Sequence, residues 1–417
     1  MPTRRAFLGG LASSSLFACR RDMATAVPRA SDGSPDFVAL REQFVYPRDI
    51  AYLNTGTLGA MPKPVLDAFV NSTIALEENI TKYDYLADPE PPLTGYAKFE
   101  DVLAAVAQFV GAAPDEIALT QNATVGMNFA AHGIALAKGD EIVLSNQEHP
   151  GGIGPWKLQA ERRGVIVKEI DLLPIKNDEE KIVAAFAAAM GPRTRVVMAC
   201  HLTSLLGIRL PVARLCKLAR ERGAISVVDG AQTVGQMPID LHALGCDIYV
   251  ASPHKWLCAP KGTGFMYVRR GVPIVATLGS AEFANLEWGA TRLQQFGTGS
   301  VANLHGLVAA IDFQNAIGIG AIETRDRELT ARLRTGLAGI ERVRIHSPTK
   351  PALHAAVTTF ALDGVDPKEL QARAFAAKVR IRSVHDDYGC RVGTHYYVQP
   401  AEIDRLLEVI ATSAKTA

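Results

Sequence analysis

The chain has 417 residues, 48% hydrophobic and 21% charged, which argues against a single small domain and against a disordered segment. Lys and Arg number 44 against 43 Asp and Glu, a formal net charge of +1 with no acidic or basic tail, so neither a nucleic-acid binder nor a polybasic membrane-surface protein is indicated. The six cysteines (Cys19, Cys200, Cys216, Cys246, Cys258 and Cys390) show no C-x-x-C spacing, which argues against a zinc cluster and a dense disulfide framework. Five of them have apolar or small neighbours that suit buried thiols.

The N-terminus reads Thr3-Arg4-Arg5-Ala6-Phe7-Leu8, followed by a weakly apolar stretch from Ala6 to Ala18 that is too short to span a bilayer. This order of features is that of a twin-arginine export signal, and residues 1–26 are expected to be such a signal peptide, with the mature protein in the periplasm. Ala24-Thr25-Ala26 has the form of a cleavage site, while Leu16-Phe17-Ala18-Cys19 resembles a lipoprotein box, which would anchor the chain at Cys19 instead. Residues 27–50 are expected to pack with a small C-terminal domain (293–417), and 51–292 to form the large domain.

From Asp115 to Tyr267 short β-branched runs alternate with helical patterns, the signature of a doubly wound α/β domain with a mostly parallel sheet. Strands are predicted at 117–119, 141–144, 165–167, 195–199, 225–228, 247–250 and 264–268. A helix is predicted over Val212–Arg222, with Val212, Leu215, Cys216 and Ala219 on one face and a stop at Gly223. Beyond Gly299 the pattern predicts helices at 301–317 and 321–337, a strand at 356–361, and helices at 367–377 and 400–414.

In open parallel sheets ligands bind beyond the carboxyl ends of the strands. Polar groups cluster there: Thr120-Gln121-Asn122-Ala123-Thr124, Asn146-Gln147-Glu148-His149, His201-Leu202-Thr203-Ser204, Asp229-Gly230-Ala231-Gln232 and Ser252-Pro253-His254-Lys255, with Phe296-Gly297-Thr298-Gly299 in a connecting segment. Gly297 to Ala302 also fits G-x-G-x-x-A, but it follows no strand, so a dinucleotide site is rejected. His149, His201 and His254 lack the spacing of a ligand pair, and no metal site is expected.

Together these segments resemble the fold-type I pyridoxal 5′-phosphate enzymes, and among them the class V aminotransferase family, over roughly residues 50–410. The most specific element runs from Ser252-Pro253-His254-Lys255-Trp256 into a Gly-rich turn at Gly262-Thr263-Gly264. The resemblance implies that Lys255 is the Schiff-base lysine, that Asp229 faces the pyridine nitrogen, that Gln232 lies near the phenolic oxygen, and that His149 stacks on the ring. It places the phosphate at Ala123 and Thr124 with Ser252 and His254 alongside, and adds Thr203 to the cofactor site. Gly297 and Thr298 would complete the cradle of a partner subunit, implying a homodimer. Cys390-Arg391 resembles the segment whose Arg grips the substrate carboxylate, with Arg382 as the competing candidate; Gly393 and Val398 stand where the family has Ser and Asn.

His201-Leu202-Thr203-Ser204-Leu205-Leu206-Gly207 and Tyr52-Leu53-Asn54-Thr55-Gly56-Thr57-Leu58-Gly59 resemble the isopenicillin N epimerase-like branch. Eight residues separate Arg382 from Arg391 and their one cysteine, Cys390, adjoins Arg391, which disfavours a cysteine desulfurase. The implied activity is transamination or epimerisation at the α-carbon of an amino acid or peptide-like amine. A C–S or β-elimination lyase and a non-catalytic binding protein are the alternatives.

Overall fold

The computed structural model describes residues 27–82, 99–279, 286–294, 297–384 and 388–416. The twin-arginine stretch, Cys19, Ala24–Ala26 and Phe296 lie outside the described residues. A short β1 (Ala51–Tyr52) precedes the helix Lys63–Glu78, and the helix Glu100–Val110 leads into the main sheet. Its strands are β2 (Ile117–Thr120), β3 (Glu141–Ser145), β4 (Ile166–Ile170), β5 (Thr194–Cys200), β6 (Ile225–Asp229), β7 (Ile248–Ala251) and β8 (Gly264–Val268), in the order β2-β8-β7-β6-β5-β3-β4. All pairings are parallel except those of β8, which runs antiparallel to β2 and β7.

Every one of these strands except the edge strand β4 is wholly or almost wholly buried, because helices cover both faces. Alternate residues serve the two sides: Ile142, Leu144, Met198 and Val227 pack with Met127 and Ala130, while Val143, Val197, Ala199 and Val228 pack on the other. The helix Val212–Glu221 buries the predicted face of Val212, Leu215, Cys216 and Ala219. It is followed by Gly223 at φ +70°, a left-handed conformation that glycine adopts without steric cost. Since β3, β5, β6 and β7 are parallel neighbours, the segments after them line one end of the sheet.

The C-terminal part holds a second, antiparallel sheet: β9 (Val343–Ile345), β10 (Val357–Leu362), β12 (Arg382–Ser383) and β13 (Cys390–Gly393), in the order β12-β13-β10-β9. Between them β11 (Val379–Arg380) pairs in parallel with β1. The helices Ile319–Ala338, Pro367–Ala376 and Pro400–Thr416 pack around this sheet. The helix Val301–Ile317 lies against Lys63–Glu78 and Glu100–Val110. Residues 27–50 contact the C-terminal part: Phe44 lies 4.4 Å from the Tyr397 ring, Arg41 is 3.8 Å from Glu402, and Gln399 donates to Phe37 O. Of the C-terminal strands only β10 was anticipated; the others are too short to show a period-2 pattern in sequence.

Candidate active site

The helix Ala123–Gly133 starts directly beyond β2, where the Asn122 side chain accepts from Val125 N at 3.0 Å and caps it. Ala123 N donates to Ser252 Oγ at 3.0 Å, which joins the loop after β7 to this helix start. A Cβ at Gly126 would come 2.8 Å from Val250, so only glycine lets the helix sit this close to β7. The N-terminus that carries Thr124 therefore stands over the end of the central strands, with partial positive charge toward the pocket.

His149 caps the helix Pro150–Arg163, and its Nδ1 accepts from Gly151 N at 3.0 Å. An accepting Nδ1 puts the proton of the neutral ring on Nε2. Burial lowers the imidazole pKa, and the charges of Lys255, Arg391 and Arg382 lower it further against the opposing pull of Asp229. A Cβ at Gly151 would collide with Thr124 Oγ1, and one at Gly152 would stand 3.2 Å from Asp229 Oδ2. The two glycines thus keep open the space bounded by Thr124, His149 and Asp229.

Asp229 ends β6, buried, with Oδ1 accepting from Ala231 N at 2.9 Å. Lys255 follows β7 in a turn in which its N–H donates to Ser252 O and its carbonyl accepts from Cys258 N. Burial lowers the Lys255 ammonium pKa; Asp229 pulls it back up, while the Arg391 and Arg382 guanidiniums depress it. A Cβ at Gly59 would collide with the Lys255 carbonyl oxygen, and Gly59 N donates to His254 O at 2.9 Å. The loop of residues 52–62 is thereby closed over the lysine turn.

The remaining expected residues take defined places. Gln232 donates to Gly56 O and accepts from Trp256 Nε1, both at 2.8 Å, so it ties the 52–62 loop to the lysine turn. Thr203 Oγ1 accepts from Ile208 N at 2.9 Å and shapes the turn that carries Ser204. His254 Nδ1 donates to Thr263 O at 3.2 Å, leaving Nε2 as an acceptor. Arg391, buried on β13, donates to Ser204 O (2.8 Å) and Thr57 Oγ1 (2.6 Å), and Arg382 on β12 donates to the same Thr57 Oγ1 at 3.1 Å. Gly297 and Thr298 precede the helix Val301–Ile317, with Thr298 exposed.

His201 is buried against Tyr249 OH at 3.1 Å, and burial pushes its pKa down to about 3, which keeps it neutral. Among the described residues no group of three or more His, Cys, Asp or Glu side chains could hold a metal ion.

Two further clusters adjoin the site, one at half-buried Glu148, among the polar groups expected beyond the strands, and one around buried His395, which was not anticipated. Glu148 accepts from Ser145 Oγ (2.6 Å) and Cys200 Sγ (2.8 Å), and burial raises its carboxyl to about 7. His395 Nε2 donates to Trp256 O at 2.7 Å while Nδ1 meets Asp326 Oδ2 at 2.9 Å, and Gln314 donates to the same Trp256 carbonyl at 2.8 Å. These bonds hold the peptide next to Lys255 from below. The available signal was Asp326 itself, an acid within the apolar stripe of Ile322, Leu329 and Leu333.

The profile of the family described as "Aminotransferase class-V" matches residues 59–406. The chain is 34% identical to the isopenicillin N epimerase of Amycolatopsis lactamdurans over 398 residues, covering 90% of this chain and 98% of that one. It is 30% identical to a probable cysteine desulfurase of Xylella fastidiosa (strain 9a5c), covering 90% of this chain and 95% of that one. Among solved structures it is similar to the cystine C-S lyase C-DES in complex with its reaction product cysteine persulfide. That likeness has a TM-score of 0.81 and 25% identity, and covers 88% of this chain and 99% of that one. The α/β architecture is the fold-type I arrangement that the motifs implied. Strand order, a lysine turn after β7, an aspartate ending β6 and a family profile spanning most of the sequence lead to one conclusion: the chain belongs to the aminotransferase class-V family.

Proposed function

We propose that this chain is a pyridoxal 5′-phosphate enzyme that moves a proton at the α-carbon of an amino acid or peptide-linked amine, with inversion at that carbon as the net reaction. The cofactor is pyridoxal 5′-phosphate, and the donor set suits it. Lys255 offers an amine with a depressed pKa, Asp229 a buried carboxylate, and Thr124 and Ser252 hydroxyls at a helix N-terminus that favours a phosphate. Gly151 and Gly152 keep the space between these groups free of side chains. The observation that carries the reading is Lys255 placed among Asp229, His149 and Arg391, with burial favouring its neutral amine.

Bound there, the cofactor supplies an electron sink for the charge that develops at the substrate α-carbon. Asp229 would hold the proton of the ring nitrogen. Lys255, once free, takes the α-proton as a neutral amine, and Arg391 orients the substrate through its carboxylate. His149 is a second ionisable group beside this space, and it can return a proton only after its ring has taken one up. Inversion needs two such groups, one to remove the proton and one to return it to the other face.

The epimerase relative supports inversion, and the C-S lyase neighbour supports β-elimination as a second reading. Desulfuration by a nucleophilic cysteine is disfavoured, because all five described cysteines are buried. Burial also raises the thiols of Cys200, Cys216, Cys246 and Cys390, the last to about 12.

The purified protein is expected to show a visible absorption band that borohydride bleaches, leaving the cofactor covalently linked to Lys255. Lys255→Ala should lose that linkage and about 10²–10⁴-fold of turnover. In D₂O the substrate should gain one deuterium at the α-carbon and lose its optical purity. A 2-oxo acid as sole product would point to transamination, and pyruvate with a sulfur product to elimination; a protein that stays colourless with added cofactor would overturn the reading.

Two further proposals rest on the sequence. The first is twin-arginine export to the periplasm in folded form, signalled by Arg4 and Arg5. The second is a homodimer, supported by the exposed apolar residues Val70 and Ile74 on the helix Lys63–Glu78 and by Ile80 beyond it. Fractionated cells should hold the shortened protein in the periplasm, and sedimentation should give twice the chain mass. Uncleaved cytosolic monomer would refute both.

A further inference from the structure

Arg382 and Arg391 stand directly opposite each other across the antiparallel pair β12–β13. Like charges in that position repel, and here both guanidiniums converge on one oxygen, Thr57 Oγ1, at 3.1 and 2.6 Å. The Thr57 hydroxyl spends its own proton on Asn54 Oδ1 at 2.8 Å, so it can only accept from the arginines. Among the described residues no carboxylate forms an ion pair with either guanidinium. Two cations that share a neutral acceptor, with no carboxylate partner among the described residues, form a site for negative charge.

The two arginines differ in depth. Arg391 is 6% exposed and anchored by Ser204 O. Arg382 lies on the edge strand β12 and is exposed, and among the described residues its side chain hydrogen-bonds Thr57 alone. One α-carboxylate next to the reacting carbon needs one guanidinium, and Arg391 is the inner one. We propose that Arg382 binds a second carboxylate, at the far end of the substrate, so that the enzyme selects amino acids carrying a distal acid. This rests on the pyridoxal-phosphate reading above.

The test compares amino acids that differ only in distal charge: L-glutamate against L-glutamine, and L-aspartate against L-asparagine. Affinity is read on the holoenzyme from the shift of the visible band on titration, kcat and KM from turnover, and binding to the cofactor-free protein from its melting temperature. The wild type should favour at least one acid over its amide by roughly 10- to 100-fold, the worth of a charge-assisted pair. Arg382→Gln should abolish that preference by raising KM for the acid, while the effect of its lost charge on Lys255 and His149 falls on acid and amide alike. Arg391→Gln should weaken acid and amide alike. Equal treatment of acids and amides by the wild type, or an equal loss on both in Arg382→Gln, overturns the proposal while the cofactor reading stands. A protein with no visible band defeats the cofactor reading itself, and this proposal with it.

Discussion

Replacing Asp229 by Asn should lower kcat by about 10²–10³-fold, roughly 3–4 kcal/mol of barrier, without unfolding the protein. The shape is retained: an Asn Oδ1 can still accept from Ala231 N, as the carboxylate does at 2.9 Å. What disappears is a negative charge at the buried end of β6, facing a pocket that holds the Lys255 amine and the Arg391 and Arg382 guanidiniums. Two consequences follow. A ring nitrogen bound there would no longer be kept protonated, so the α-carbon would lose its electron sink. The Lys255 ammonium pKa, which Asp229 holds up against burial and the two arginines, would fall further. Titrated in the cofactor-free protein, the Lys255 ammonium should therefore lose its proton at lower pH in the variant than in the wild type. An unchanged kcat together with an unmoved titration would remove Asp229 from the mechanism.

The largest effect on stability is expected at Asp326. Both nitrogens of the fully buried His395 are engaged, Nε2 donating to Trp256 O and Nδ1 facing Asp326 Oδ2, which makes the ring an imidazolium matched by one carboxylate. Asp326 raises the His395 pKa from 6.5 to about 10 despite burial. Asp326→Ala leaves that cation unpaired in the core and should cost about 3–5 kcal/mol in denaturant unfolding. Asp326→Asn, which can still accept from Nδ1–H, should cost less.

The pH dependence has a definite sign. His395 keeps its proton to a higher pH in the folded chain than in the unfolded one, so its contribution is complete below about 6.5 and is lost as pH rises through about 10. Asp326 itself is raised by burial from 3.8 to about 6, so its term also declines with rising pH, between those values. Between pH 6.5 and 10 the wild type should lose stability with a slope of at most ~1.4 kcal/mol per pH unit, and Asp326→Asn should flatten it. Equal slopes in the two proteins would show that the pair does not carry the charge. Because the clamped carbonyl belongs to Trp256, the variants should also release the cofactor more readily than the wild type.

Much of the large domain was legible in the chain. All seven strands of the main sheet were placed within two or three residues of their observed ends, because buried parallel strands write themselves as β-branched runs between helical repeats. The face of the helix Val212–Glu221 was readable residue by residue for the same reason. The loop functions were harder. Thr203 and Gln232 were assigned to the cofactor by resemblance, yet both also carry the bonds that fold the neighbouring turns, Thr203 to Ile208 and Gln232 to Gly56 and Trp256. A hydroxyl or amide that shapes a turn and one that binds a ligand look alike in sequence.

The local pieces could be read from the chain alone: a lysine in a Ser-Pro-His-Lys-Trp turn after one strand, an aspartate ending another, a histidine capping a helix, and an arginine after Cys390. Each depends on residues close together in the chain, where periodicity, capping and turn chemistry act. Tertiary structure decided which of the two arginines lies deep and which on the rim, because β12 and β13 are too short to announce their pairing and Thr57 reaches them from more than 300 residues away. It also decided that Glu148 meets Cys200, and that Asp326 and His395 brace the peptide beside Lys255 across 139 residues from His395 to Trp256. Buried polar groups must find partners wherever the packed chain brings them, and sequence distance sets no limit on that search.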